Sequence, residues 1–306
     1  MAVLVIKLGA LGDFVQALGP FAAIRRHHSD EHIVLLTTGL YRELAEASGF
    51  FDEVWTGGRP AGVEILGWLE LRRRLVGGGF DRVYDLQTSD HSSFYRRLFW
   101  PGPSPEWSGI ARGCSHPHTN PKRDDMHTIE RQAEQLEVAG IANMPPLDWT
   151  ALDLKGDISR FGLAGRYVLL APAGARHRPG KRWPKEHFAV VARRVVEQDM
   201  TPVLLGTAAE KALLAEIAAQ CPGTRDLAGE TSLLDLVSLG RGAVAAVGND
   251  TGPMHLIASA GCPSVVLYSN ESDPALCGQR GPSVTILRRD RLADLSVADV
   301  VDALAF

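Results

Sequence analysis

The sequence predicts an α/β protein built from two doubly wound halves, and three observations carry that expectation. Short runs rich in Val, Ile and Leu alternate with amphipathic stretches, as parallel strands buried on both faces alternate with the helices that cover them. The alternation is interrupted once, between residues 100 and 153, by Pro101-Gly102-Pro103-Ser104-Pro105, a polar stretch over 112–125 and Pro145-Pro146. The chain has 306 residues, and a typical domain needs only ~150.

In the first half the strand runs are 3–7, 32–37, 52–56 and 82–86, followed by helical stretches near 13–27, 41–48, 62–75 and 91–99. One further helix is expected at about 127–139, between the loops of the interruption. The second half gives strands at 167–172, 201–206, 225–228, 243–248, 264–268 and 284–287, with helices near 185–198, 208–219, 232–239, 252–260 and 297–305. The junction falls near 150–165, so the expected domains are 1–155 and 156–306. Two Rossmann-like halves of this kind place ligands at the carboxyl ends of their strands, here across a central cleft.

Composition removes several function classes. A formal net charge of −4 argues against a general nucleic-acid binder, which carries a basic domain. Cys114, Cys221, Cys262 and Cys277 lie far apart without C-x-x-C spacing, so neither a zinc site nor a disulfide framework is expected. The apolar run after Met1 lacks a basic segment before it, and no stretch reaches the ~18 apolar residues of a membrane span. The expectation is a cytoplasmic protein, with work at a membrane surface left open.

Three segments can carry chemistry. Lys7-Leu8-Gly9-Ala10-Leu11-Gly12-Asp13 follows the first strand and opens the first helix, and its glycines allow a tight turn and a close approach to a ligand. The full G-x-G-x-x-G dinucleotide pattern is absent. Asp13 reads either as a helix N-cap or as a carboxylate that takes a proton from a substrate hydroxyl. In the second segment Arg176, Arg178, Lys181 and Arg182 crowd a Gly/Pro-rich loop ahead of Pro184, either a phosphate clamp or a solvated basic loop. It is not a P-loop: Arg182 follows Lys181 where a Ser or Thr would hold magnesium.

The third segment, Asn249-Asp250-Thr251-Gly252-Pro253-Met254-His255, runs off a buried strand into a helix. Asp250 and Thr251 are good cap residues, Pro253 suits a first turn, and the free amides there form an anion site. His255 is either a ligand contact one turn in or a structural histidine. Glu210, after Gly206-Thr207, is either a ribose ligand or a first-turn charge favourable to the helix dipole.

Together these pieces resemble glycosyltransferase family 9, the heptosyltransferases of lipopolysaccharide core assembly. The matching residues are Lys7-x-Gly9-x-x-Gly12-Asp13, Asp85-Leu86-Gln87, Lys181-Arg182-Trp183-Pro184, Gly206-x-x-x-Glu210 and Asn249-Asp250-Thr251-Gly252-x-x-His255. The resemblance implies a GT-B fold, with an acceptor held by the N-terminal half and a nucleotide sugar by the C-terminal half. It implies inverting, metal-independent transfer of a heptose from ADP-heptose to a lipopolysaccharide-core or related envelope glycan, with no cofactor beyond that donor. Position by position, Asp13 would be the general base, and Gly12 and Gln87 would lie on the acceptor side. Lys181, Arg182, Glu210, Asp250, Thr251, Gly252 and His255 would hold the donor. The expected partners are a nucleotide sugar and a glycan or glycolipid acceptor, with no nucleic acid, for a monomer working in the cytoplasm or at the cytoplasmic face of the inner membrane.

One departure concerns the acceptor. Relatives acting on phosphorylated inner-core sugars place basic residues shortly after Asp-Leu-Gln, whereas Thr88-Ser89-Asp90-His91 follows here. In the stretch 112–125, Asp124 and Asp125 offset Arg112, Lys122 and Arg123. The alternatives are a sugar-nucleotide epimerase of the same fold, a non-catalytic nucleotide-sugar-binding relative and, disfavoured by the missing fingerprint, an NAD-dependent oxidoreductase.

Overall fold

A computed structural model describes residues 1–142, 144–175 and 177–304. The chain divides into two units, Met1–Asp148 and Trp149–Phe306.

The first unit contains β1 (Ala2–Ile6), α1 (Leu11–Gln16), α2 (Leu18–His27), β2 (His32–Leu36), α3 (Arg42–Ala47), β3 (Glu53–Trp55), α4 (Ile65–Gly77), β4 (Arg82–Asp85), α5 (Asp90–Phe94), β5 (Glu106–Gly109), β6 (His116–Pro117) and α6 (Thr128–Val138). Its sheet runs β3-β2-β1-β4-β5-β6, with every pairing parallel. The order reverses between β1 and β4, which is where a doubly wound sheet opens a crevice at its strand ends. Leu4, Ile6, Val34, Leu36, Val83 and Trp107 fill one face of the sheet, packed by Leu71 and Leu75 of α4.

The second unit contains β7 (Tyr167–Ala171), α7 (Lys185–Glu197), β8 (Thr201–Leu204), α8 (Lys211–Ala218), β9 (Arg225–Asp226), α9 (Leu233–Gly242), β10 (Ala245–Asn249), α10 (Gly252–Ser259), β11 (Ser264–Tyr268), α11 (Pro274–Cys277), β12 (Val284–Arg288) and α12 (Val297–Leu304). Its order, β12-β11-β10-β7-β8-β9, is again parallel throughout and repeats the first sheet's winding, with its reversal between β7 and β10. Val168, Leu170, Val247, Val265 and Leu267 form the core with Phe188, Val191 and Val195 of α7.

The structure corrects the sequence expectations in two places. The region 100–153, expected to hold loops around one helix, supplies the two strands β5 and β6 as well as α6. Neither is a β-branched run: Glu106-Trp107-Ser108-Gly109 is held by pairing with β4, and His116-Pro117 by pairing with β5. The single helix expected over 13–27 is two, α1 and α2, separated at Ala17. Pro20 has no N–H to return to the carbonyl of Gln16, so the ladder cannot run through. The last residue of the helix expected at 297–305 lies outside the described residues. Among the described residues, no helix is long and apolar enough to cross a membrane.

Candidate active site

Except for Glu210, which follows β8, each unit gathers its candidate residues at its own point of strand reversal. In the second unit the centre is the end of β10. Asn249 is fully buried; its amide donates to the carbonyls of Pro172 (2.8 Å) and Ala173 (3.1 Å), and its carbonyl accepts from the Trp183 amide at 3.0 Å. One side chain thus fastens β10 to the loop after β7 and to the loop that carries Lys181. Gly248, just before it, has no room for a side chain: a Cβ would stand 2.7 Å from that of Ala171 and 2.8 Å from the Met254 sulfur.

Asp250 takes up four donors. The Lys181 ammonium lies 2.6 Å from Oδ2 and the Ser272 hydroxyl 2.8 Å from the same oxygen, while Tyr268 Oη (2.9 Å) and Gln279 Nε2 (3.2 Å) donate to Oδ1. Burial pushes this carboxyl up, but the Lys181 ammonium and the hydroxyl donors outweigh it and hold the group below its ordinary value. The pair is largely removed from solvent, so Asp250 fixes the ammonium in place beside the start of α10.

That helix start is open. Thr251 is the N-cap, yet its side chain caps nothing. Its Oγ1 is buried and, among the described residues, has no hydrogen-bond partner. Pro253 sits in the first turn, and the amide of Gly252 at the helix start lacks an intrahelical acceptor. A helix N-terminus with an orphan hydroxyl and a pinned ammonium can take an anion. His255 is buried on the same helix.

Arg182 donates through Nη2 to the Gly174 carbonyl at 2.8 Å, and its Nε is buried without a partner among the described residues. Glu210 closes a capping box: its Oε2 accepts from the Thr207 amide (2.7 Å) and hydroxyl (3.0 Å). That geometry is the first-turn role weighed for it, and it leaves Oε1 for a ligand. Arg176 lies outside the described residues.

In the first unit, the turn after β1 depends on Gly9. Its φ of +134° is closed to L side chains, and a Cβ there would meet Tyr41 Oη at 3.0 Å. Helix α1 then begins at Leu11, with Gly12 second and Asp13 third. Asp13 is therefore not the N-cap that the sequence suggested; Ala10 is, and Asp13 Oδ2 reaches back to the Ala10 amide at 3.3 Å. Oδ1 has no hydrogen-bond partner among the described residues, which leaves it available to a substrate hydroxyl.

Gln87 ties the neighbouring strand ends together by accepting from the Leu8 amide at 2.8 Å. Asp85 is buried, holding the amides of Gln87 and Thr88 (both 3.1 Å) and the Ser92 hydroxyl (2.9 Å). Burial raises its carboxyl to about 6 against those bonds. Lys7, buried beside it, donates to the Leu86 carbonyl at 3.1 Å. Burial lowers its ammonium to about 8, with Asp13 and Asp85 pulling the other way and Arg131 of α6 adding to the fall. The offset expected between Arg123 and its acidic neighbours is incomplete: Asp124 engages Nη1 at 2.9 Å, while Nε and Nη2 are buried without a partner among the described residues.

Sequence reasoning missed Tyr268, Ser272 and Gln279, which reach Asp250 from later elements, and Arg131, which bears on the Lys7–Asp13 turn from α6. No local pattern marks them. Among the described residues, no group of three or more His, Cys, Asp and Glu side chains is arranged to hold a metal ion.

Two six-stranded, doubly wound units in succession are the GT-B class of architecture. The chain belongs to glycosyltransferase family 9 (heptosyltransferase), whose profile matches residues 68–299. Among curated proteins it is similar to lipopolysaccharide heptosyltransferase 2 of Escherichia coli, 38% identical over 138 residues that cover 42% of this chain and 40% of the relative. The Salmonella typhimurium protein of that name is 36% identical over the same shares. These matches thus span well under two thirds of the curated relatives' length. Among solved structures, the E. coli ADP-heptose lipopolysaccharide heptosyltransferase II superposes with a TM-score of 0.82 at 24% identity, covering 99% of this chain and 97% of that one. A family 9 glycosyltransferase from Veillonella parvula gives 0.83 at 21%, covering 99% and 95%. At these identities the likeness is one of fold.

Proposed function

We propose that this protein is an inverting heptosyltransferase that moves heptose from ADP-heptose to a lipopolysaccharide-core or related envelope glycan, without a metal ion. The observation that carries the reading is the open start of α10, where the unpartnered Thr251 hydroxyl directly follows Asp250, the carboxylate that pins the buried Lys181 ammonium. Family membership and the curated relatives supply the sugar; the geometry supports the anion.

In this reading the C-terminal unit holds the donor. Lys181 and the α10 amides face the diphosphate, Arg182 adds a cation, Glu210 offers Oε1 to the ribose, and His255 contributes from the first turn. Asp250 acts through Lys181 and touches no phosphate itself. The N-terminal unit holds the acceptor, with Gly12 and Gln87 shaping the turn that presents Asp13. Asp13 Oδ1 takes the proton as the acceptor oxygen attacks the anomeric carbon opposite the diphosphate. The glycosidic bond forms as the bond to ADP breaks, with inversion. Charge gathers on the departing ADP, where fixed donors are worth most.

Isothermal titration with ADP, UDP, GDP and NAD, with and without EDTA, tests this. The reading predicts that ADP binds tightest and that EDTA changes nothing. Preference for NAD, or binding that requires magnesium, would refute it.

A further inference from the structure

Away from these residues, the N-terminal unit carries an apolar surface that its own core does not use. Val63, Ile65, Leu66 and Leu69, at the start of α4, are exposed by 93%, 72%, 80% and 58%. Isolated exposed apolar side chains are ordinary, but four in such close succession make a patch. Helical spacing puts Ile65, Leu69, Arg72 and Val76 on one line along the outer face, while Leu71 and Leu75 carry the buried face. The surface continues beyond the helix. Arg72 donates to the Trp100 carbonyl at 3.1 Å, and Trp100 is 77% exposed. Trp68 packs edge-on against the exposed Phe94 with centroids 5.4 Å apart, and the Arg97 guanidinium lies 5.9 Å from the Phe94 ring.

Arginines flank this patch: among the described residues, no carboxylate lies within ion-pair distance of Arg72 or Arg97, Arg73 is paired with Glu70 at 2.8 Å, and the one carboxylate between Val63 and Ile65, Glu64, accepts from the Ala61 amide at 3.2 Å. At the far end of α4 a small hollow is lined by Trp55, Arg73, Arg74, Gly77 and Gly78. Aliphatic and aromatic side chains interleaved with arginines match the boundary layer of an anionic bilayer. The apolar groups enter the acyl edge and the guanidiniums meet lipid phosphates. A second copy of this chain fits less well, because a self-complementary contact would set the same arginines against each other.

We infer that the outer face of α4, with Phe94 and Trp100 beside it, is the surface by which this protein lies on an anionic membrane. The inference goes beyond the proposed reaction and is read without donor or acceptor. It places the unit assigned to the acceptor on the lipid surface where a glycolipid would present its sugar.

Sedimentation of the full chain with phosphatidylglycerol/phosphatidylcholine vesicles, against phosphatidylcholine alone, tests it. Binding is expected to the mixed vesicles only, weakened by high salt. Leu66→Glu with Leu69→Glu should lower vesicle affinity by about tenfold or more, and Arg72→Glu with Arg97→Glu should lower it by a similar factor. Circular dichroism and the unfolding midpoint of each variant show that it remains folded, and keep this result separate from the fate of the donor-site reading. Equal sedimentation of wild type and both variants, or no wild-type binding to the mixed vesicles, overturns the inference. So does a wild-type dimer in analytical ultracentrifugation that the Leu66/Leu69 variant abolishes.

Discussion

Asp85 and Lys7 show how burial at a strand end fixes the titration of single groups. Asp85 sits at about 6 in the folded protein against an ordinary 3.8. Its contribution to stability is therefore full below about pH 4 and is lost as the pH rises through about 6, a loss on the order of 3 kcal/mol. Asp85→Asn keeps an oxygen for the Gln87 and Thr88 amides and can donate to Ser92. We predict that the stability difference between variant and wild type shifts in the variant's favour between pH 4 and 7, read as urea midpoints at each pH. A difference independent of pH would contradict the assignment. Lys7 behaves in the opposite sense: its lowered ammonium costs stability below about pH 8, and that cost fades as the pH rises from there toward its ordinary 10.5. Both residues were in view as part of the matching motifs, but nothing in their local sequence showed that each is buried against the other's strand.

At the scale of elements, α10 is the clearest case of a sequence signal with a physical cause. Cap residues and a first-turn proline point to a helix start after a buried strand, and that is what forms, with Gly248 close-packed behind it. What the sequence could not show is that the cap is unused. Thr251 Oγ1 is buried and unpartnered in the free protein, so its removal should help stability and hurt binding. Thr251→Val is predicted to leave stability unchanged or raise it by about 1 kcal/mol, since a desolvated hydroxyl is lost. The same change should weaken ADP by roughly ten- to a hundredfold, the worth of a hydrogen bond to a charged group. Calorimetry of unfolding and of ADP binding on one preparation checks both signs; a loss of stability with intact affinity would return Thr251 to a structural role. The opposite lesson comes from β5 and β6. Their four- and two-residue segments, bordered by prolines and polar residues, carry no strand periodicity, and only pairing with β4 and with one another makes them strands.

At the scale of the molecule, the alternation of apolar runs and helices made the doubly wound architecture readable, because parallel strands covered on both faces leave continuous hydrophobic runs in the chain. Both sheets adopt the same strand order, and every motif singled out beforehand, except Glu210 after β8, lies next to one of the two reversals. The partners of those motifs were less legible. Asp250 is held by Tyr268, Ser272 and Gln279 from three later segments, and Arg131 bears on Asp13 from α6, contacts that exist only once each sheet has wound. The acceptor side is less legible still: the neighbouring Asp124 and Asp125 suggest that Arg123 is neutralised, whereas two of its nitrogens are buried without a partner among the described residues.

The central claim is that donor binding in one unit and proton removal by Asp13 in the other are separate jobs in one transfer reaction. The most direct measurement compares wild type and Asp13→Asn for ADP affinity by calorimetry and for ADP release from ADP-heptose in the presence of a lipopolysaccharide-core acceptor. The account predicts unchanged ADP affinity and a loss of turnover of at least about a hundredfold, the usual worth of a general base. Comparable turnover in the variant would contradict it and leave Asp13 only its bond to the Ala10 amide.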